Sequence, residues 1–569
     1  MKRLYIAFAL LGIAASASAQ NMYDAMLFSE NNYYGTARSI AIGNAVTAVG
    51  GDLGSIGINP AGSAVAGYSQ FTITPGVVLS TVNSNYYQPG VGADNGDVTS
   101  KSRFGLPNIG FVQTCYTGRD YGVKSYSFGL VSNRTMNYNS RFNSFGRNAH
   151  TSRFAEIASA CTGYTAADLG AGGSNAYWDS SAPWDCIAAY RGNLISGYDD
   201  AHLYYAGNTE FVADGGLPYV PGELNQAIDV RNTGSKQDIV FNLGLNINDK
   251  IYVGANIGIP TADYQYNEFF SESAVNPEMF PITFIDSKGA EVPTNFKNGV
   301  MEYQRNNDID GIYAKVGAIF LPTKNLRIGA SIQTPTAYTI KEMWQYTTAS
   351  TYAASQFNRD EFSELGEYTY CLRSPYIADL GIAYTFGGRG FLSVDYELTD
   401  YSVMRFSELH NDAAGYDYFY EVNESNRLFG GIQHQLRAGL EFRVTPEFAL
   451  RAGYNLITTP ERYYTSSNGD MITANDFVAN FEDLRGDLHN AKYFQDKTQA
   501  FSFGAGYSSP GSFFMDVAAR FTEYPKATFS PYYDYENYNA AGETVNFASP
   551  RVDNWRKVMD IVMTIGFRF

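Results

Sequence analysis

From Met559 the apolar residues stand on every second position: Met559, Ile561, Met563, Ile565, Phe567 and Phe569, with Asp560, Thr564, Gly566 and Arg568 filling most of the positions between. Such alternation puts one side of a strand against an apolar phase and the other against a polar one. The pattern recurs in pairs. Leu436, Ala438, Leu440, Phe442 and Val444 alternate with Arg437, Gly439, Glu441 and Arg443, and after a turn at Thr445-Pro446-Glu447 the alternation resumes from Phe448 to Leu456. Further hairpins are expected at 104–115/121–131, 239–247/251–259, 312–320/326–332, 376–386/391–398 and 501–507/513–521. With a first strand over 71–81 and the last at 559–569, the count is about fourteen, the even number of a bacterial barrel. The connections are sorted by length. Turns of a few residues take turns with long polar segments at 83–101, 137–236, 262–308, 341–374, 406–431, 458–496 and 524–556. A soluble β-sandwich has no reason to sort its loops in this way. A membrane barrel does, with short inner turns and long outer loops.

The N-terminus reads as an export signal over residues 1–19. Lys2 and Arg3 precede an apolar core from Leu4 to Ala15, and Ala17-Ser18-Ala19 is a small-residue cleavage site. That core is too short to span a bilayer as a helix. Mean hydropathy is −0.24, which suits a barrel, because only alternate residues face lipid. The expected location is a Gram-negative outer membrane, with its lipid and lipopolysaccharide as surroundings. The net charge of −17 and the absence of Lys/Arg runs argue against nucleic acid. Tyrosines crowd the loops, as in Tyr368-Thr369-Tyr370 and Tyr416 to Tyr420. They suit a membrane-interface girdle or a landing surface for an apolar substrate.

The polar sides of the strands carry charges of both signs, among them Lys315, Asp395, Glu397, Arg437, Glu441, Arg451, Asp516 and Arg520. In a lumen they need water or partners, and a ladder of ion pairs holding wall and plug is expected; the alternative is a path guiding a carboxylate ligand. Of the four cysteines, Cys161 and Cys186 lie in one long loop and can pair in an oxidising compartment. No cysteine has metal-ligand spacing to a histidine, so no metal or cofactor is expected. His202, His410, His434 and His489 are scattered and sit in no catalytic motif, so no enzyme activity is expected either.

Residues 20–68 do not read as wall. A small-residue stretch from Gly35 leads through Val49-Gly50-Gly51-Asp52 to Asn59-Pro60-Ala61-Gly62. Its low charge and many apolar residues suit a folded plug rather than a disordered tail. Here the chain resembles the FadL/TodX family of outer-membrane hydrophobic-compound transporters. The resemblance rests on the stretch from Gly35 to Val49, on Asp52, and on Asn59-Pro60-Ala61-Gly62, which is similar to the family's hatch motif. The segments Leu321 to Gly329, Asp395-Tyr396-Glu397 and Asp400-Tyr401-Ser402 also resemble the family.

The resemblance implies an all-β, transmembrane antiparallel barrel of about fourteen strands (69–569, largest outer loop 137–236). An N-terminal hatch (20–68) would lie in its lumen. It implies a monomer that takes up a hydrophobic, fatty-acid-like small molecule passively. The ligand would bind near the outer loops, the hatch would move, and the ligand would leave sideways into the membrane. Asn59, Pro60 and Ala61 match the hatch motif and are the expected gating residues. An irregularity forming the side exit is expected in the third strand, where alternation weakens at Gly129 to Asn133. The alternative is a barrel of the same class that anchors or partners surface secretion without transport.

Overall fold

The computed structural model describes residues 21–89, 95–171, 175–198, 203–212, 216–286, 288–409, 417–538 and 544–569. The export segment expected over 1–19 lies outside them. Fourteen antiparallel strands form one closed barrel. Each strand bonds to its neighbours in sequence, and the first, Gln70–Tyr87, pairs with the last, Arg551–Arg568, from Gln70 opposite Arg568 to Tyr87 opposite Arg551. Closure leaves no sheet edge at that seam. Some strands are built from two stretches in line, such as Leu326–Gln333 with Ala337–Tyr352, and Gly366–Arg373 with Ile377–Thr385.

The two faces of the wall invert the usual rule for water-soluble proteins. Phe241, Phe442 and Phe503 are 51%, 51% and 55% exposed on the outside, whereas Arg437, on the opposite face, is 0% exposed. A continuous apolar belt of this extent is covered by lipid. No helix among the described residues is long and apolar enough to cross a membrane.

All six short turns lie at one end. In one, Asn248 and Asp249 both have positive φ (57° and 55°), and in another Gly387 and Gly388 do (55° and 84°). Positive φ at both central residues marks a type I′ turn, whose twist matches that of the strands it joins.

At the other end the strands run far past the alternating sequence. Leu224–Ile247 and Ile251–Ala274 have 24 residues each, and Glu291–Phe320 has 30. The segment 262–308, read as a loop, therefore gives much of its length to the wall, and 137–236 gives its two ends, including Ser140–Asn148. Crossing a bilayer takes roughly 9–11 tilted residues, so the upper halves stand clear of lipid. With no apolar phase outside them, they have no reason to alternate. The irregular insertion narrows to 149–223 and contains the helices Arg153–Ala160 and Trp184–Arg191.

Candidate functional site

Residues 21–66 are mostly buried, none is exposed, and they lie against the inner face of the wall. Asp52 gathers the first part of the segment, accepting hydrogen bonds from the Thr36 and Ser39 hydroxyls at 2.5 Å each and from the Gly54 N–H at 3.1 Å. Tyr33 lies between two cations, with Lys315 Nζ 5.5 Å and Arg437 Cζ 5.7 Å from its ring centre. These cations belong to a buried network in which Arg437 pairs with Asp379 (3.2 Å) and Glu397, and Lys315 lies 3.7 Å from Asp379. A second chain runs from Arg38 to Glu441 (2.8 Å), to Arg451 (2.8 Å) and on to Asp516 (2.6 Å). The inner charges thus bond to one another and to the N-terminal segment, as a buried charge requires.

The Asn-Pro-Ala turn rests against three neighbouring strands, Leu224–Ile247, Ile251–Ala274 and Glu291–Phe320. Asn59 is 0% exposed. Its amide donates to the carbonyls of Thr47 (2.7 Å) and Ala318 (3.2 Å), and its Oδ1 accepts from the Ala61 N–H at 3.1 Å. The Pro60 carbonyl accepts from Asn242 Nδ2 at 3.0 Å. Two wall glycines make this approach feasible. A Cβ on Gly317 would stand 2.1 Å from Asn59 Oδ1, and one on Gly254 would stand 2.4 Å from the Pro60 carbonyl carbon. The residues named by the resemblance thus pack tightly on the wall, as do Thr47 at Gly329 and Gly43 at Gly453, where a Cβ would stand 2.1 Å from the segment in each case.

Farther toward the long-loop end, buried apolar side chains enclose the helix Met22–Ser29, among them Tyr264, Ile309, Ile340, Tyr370, Leu372 and Phe406. The helix contributes Met22, Ala25 and Phe28 to this lining. Its one acid, Asp24, pairs with Arg305 at 2.7 Å. The Lys236 ammonium donates to the carbonyls of Phe28 (2.9 Å) and Glu30 (2.6 Å), where a cation suits the helix C-terminus. Sequence reasoning missed this apolar cluster, because Tyr264, Tyr370, Leu372 and Phe406 come from segments read as loops.

The wall is irregular in the third strand. Asn95–Tyr116 pairs with Val123–Asn137 only from Tyr116 opposite Ser125 to Asn108 opposite Asn133. Beyond Asn133 the second strand departs, and the register of the third against its other neighbour shifts between Arg134 and Met136. The freed edge is taken by the N-terminal segment. Asn32 N–H donates to the Thr135 carbonyl at 2.6 Å, and Tyr34 N–H to the Arg134 carbonyl at 2.8 Å. The Arg134 guanidinium fills the gap across from Gly105, where a Cβ would lie 2.3 Å from its Nη2. The irregularity begins where the weakened alternation at Gly129 to Asn133 ends.

In the insertion, Cys161 and Cys186 are both buried free thiols, and the Cys186 thiol donates to the Ile157 carbonyl at 3.7 Å. Burial pushes both thiols up from their ordinary value. His434 bonds the Tyr396 hydroxyl, and His489 lies beside Asp487. Among the described residues no group of His, Cys, Asp and Glu is placed to hold a metal.

No family model matches this chain, and no curated protein does. Solved barrels align with it nearly from end to end. A FadL homologue from Pseudomonas aeruginosa is 13% identical, with 95% of this chain and 99% of that one covered and a TM-score of 0.46. The toluene transporter TbuX from Ralstonia pickettii is 14% identical, over 94% and 98% of the two chains, with a TM-score of 0.42. The toluene transporter TodX from P. putida is 10% identical, over 90% and 92%, with a TM-score of 0.39.

Proposed function

We propose that this chain is an outer-membrane transport protein for hydrophobic compounds such as long-chain fatty acids, moving them passively and without chemistry. The observation that carries the reading is the strand edge beyond Asn133, which the second strand leaves and residues 32–34 occupy. An apolar solute gains nothing from a water-filled pore. It needs a dry pocket and an exit into lipid. The chamber around Met22–Ser29 supplies the pocket, and the side gap at Arg134 and Gly105 supplies the exit. One continuous segment occupies both. A ligand that takes the place of the helix loosens residues 30–34, and the edge of the third strand opens. The turn at Asn59, Pro60 and Ala61 is the pivot, held to the wall while the part before it moves. Such a ligand shifts the equilibrium only by its preference for the open state. The inner ion pairs hold the rest of the segment in place, so the barrel does not become an open pore.

The deciding experiment is uptake of a labelled long-chain fatty acid by cells with and without the protein, next to a variant that pins residues 32–34 to the third strand. Protein-dependent uptake that the pin abolishes is the expected result. Equal uptake in all three would remove the transport reading.

A further inference from the structure

Two neighbouring strands break at the same level, far round the barrel from the side gap. One is interrupted between Leu326–Gln333 and Ala337–Tyr352, the other between Gly366–Arg373 and Ile377–Thr385. Pro335 and Pro375 lie in the two breaks and can donate no ladder hydrogen bond. The breaks are stitched to each other, with Thr336 N–H donating to Ser374 Oγ at 2.9 Å and Ser374 N–H to the Thr336 carbonyl at 3.0 Å. Just above the stitch lies a groove of about 340 Å³ lined by Pro335, Thr339, Cys371, Arg373 and Ser407. Ala337, Tyr338 and Leu372 complete the lining, so small, hydroxylated and apolar groups surround its one arginine.

A second arginine stands beside the first. The short strand Arg405–Glu408 pairs with Tyr370–Arg373, and Arg405 falls directly opposite Arg373. Both are exposed on the outer face. Arg373 donates to the Tyr376 hydroxyl at 3.3 Å, Arg405 lies 3.6 Å from Asp417 at the rim, and Lys341 nearby is matched by Glu367 at 2.9 Å. Like charges directly opposite each other on a sheet repel. The apolar belt of this strand, with Tyr376, Leu380 and Ile382 exposed at 48%, 61% and 49%, begins just below. Paired guanidinium forks at the upper edge of a lipid belt fit a phosphate on a membrane-anchored molecule.

We infer that the groove at Pro335, Thr339 and Cys371, with Arg373 and Arg405, binds the phosphate of an outer-leaflet glycolipid and seats its sugar or acyl stem against the small residues. The inference rests on the outer-membrane placement and not on what the barrel carries. Detergent-purified full-length protein is mixed with lipid A bearing its phosphates, with the same lipid after dephosphorylation, or with inorganic phosphate, and bound lipid is read by native mass spectrometry.

The phosphorylated lipid is expected to bind, and dephosphorylation or the double change R373Q/R405Q to weaken it about tenfold. The change R389Q, in a short turn at the other end, leaves binding as it was. Thr339→Trp, which fills the groove and leaves both charges, also weakens it. Equal binding by the R373Q/R405Q protein, or indifference to dephosphorylation, overturns the inference. Displacement of the lipid by inorganic phosphate at equal concentration overturns the assignment to a lipid. Fatty-acid uptake is unchanged in R373Q/R405Q, so the transport reading stands or falls by a separate measurement.

Discussion

Tyr34 and Arg134 face each other as an isolated antiparallel bridge, although the sequence places them in different parts of the molecule and exactly one belongs to the wall. The bridge stands where the second strand would have continued its ladder with the third. A chain that borrows a strand edge in this way holds it by main-chain hydrogen bonds, and here release must also free Tyr33 from Lys315 and Arg437 and Tyr34 from Arg520.

Cysteines at both positions of this bridge, Tyr34→Cys with Arg134→Cys, lie at the Cα separation of a cross-strand pair, about 4.5–5.5 Å, within the range a disulfide spans. Oxidation is expected to stop uptake of labelled fatty acid, and reduction to restore it. Uptake that ignores the redox state would show that residues 32–34 need not move.

Asn59→Ala leaves the carbonyls of Thr47 and Ala318 without their amide donor, a cost of roughly 1–3 kcal/mol for a buried group. Gly317→Val drives a side chain into the same place. Both variants are expected to insert and to keep the heat-dependent gel mobility of a barrel. Both should raise ion conductance in planar bilayers and speed hydrogen exchange over 56–62. Conductance as low as that of the unaltered protein would detach Asn59 from gating.

Glu210 lies in the insertion, 7% exposed. It accepts from the Gly207 N–H at 2.9 Å and from Asn537 Nδ2 at 2.6 Å. Burial pushes its carboxyl up to about 7, against the lowering effect of those two bonds. A carboxyl raised on folding favours the protonated state, so its contribution is complete below the unfolded value near 4.3 and is lost as pH rises through about 7. Hydrogen exchange in Arg153–Ala160 should therefore quicken between pH 5 and pH 8 by more than the intrinsic rate accounts for, and Glu210→Gln should remove the excess. An unchanged profile in that variant would assign the effect to another group.

Cys161 and Cys186 are both buried in the insertion and are expected to pair in an exporting compartment. Thiol labelling after denaturation is expected to modify neither unless the protein is first reduced. Modification of both without reductant would mean that they stay as buried thiols, which burial keeps protonated and slow to react.

The lipid-facing half of the barrel was legible because its physics is written locally. At Phe241–Asn242–Leu243 or Leu436–Arg437–Ala438, one face meets hydrocarbon and the other a polar interior, so the pleat shows in the residue order. The turn at Asn248-Asp249 was legible for a similar reason, since few residues adopt positive φ. The upper wall was not. Ser140–Asn148 and the first half of Leu224–Ile247 have no apolar phase to face, and their strand geometry comes from the neighbours to which they bond.

Sequence by itself determined the strand number, the sorting of short and long connections, and the small-residue turn at Asn59-Pro60-Ala61. Each depends on residue type at a spacing of a few positions. Only the tertiary structure decided where the second strand leaves the third, that residues 32–34 take the vacant edge, that Met22–Ser29 fills an apolar chamber, and that Arg373 stands across from Arg405. Those contacts join residues far apart in the chain. Their energies depend on closure of the barrel, which no local stretch of sequence encodes.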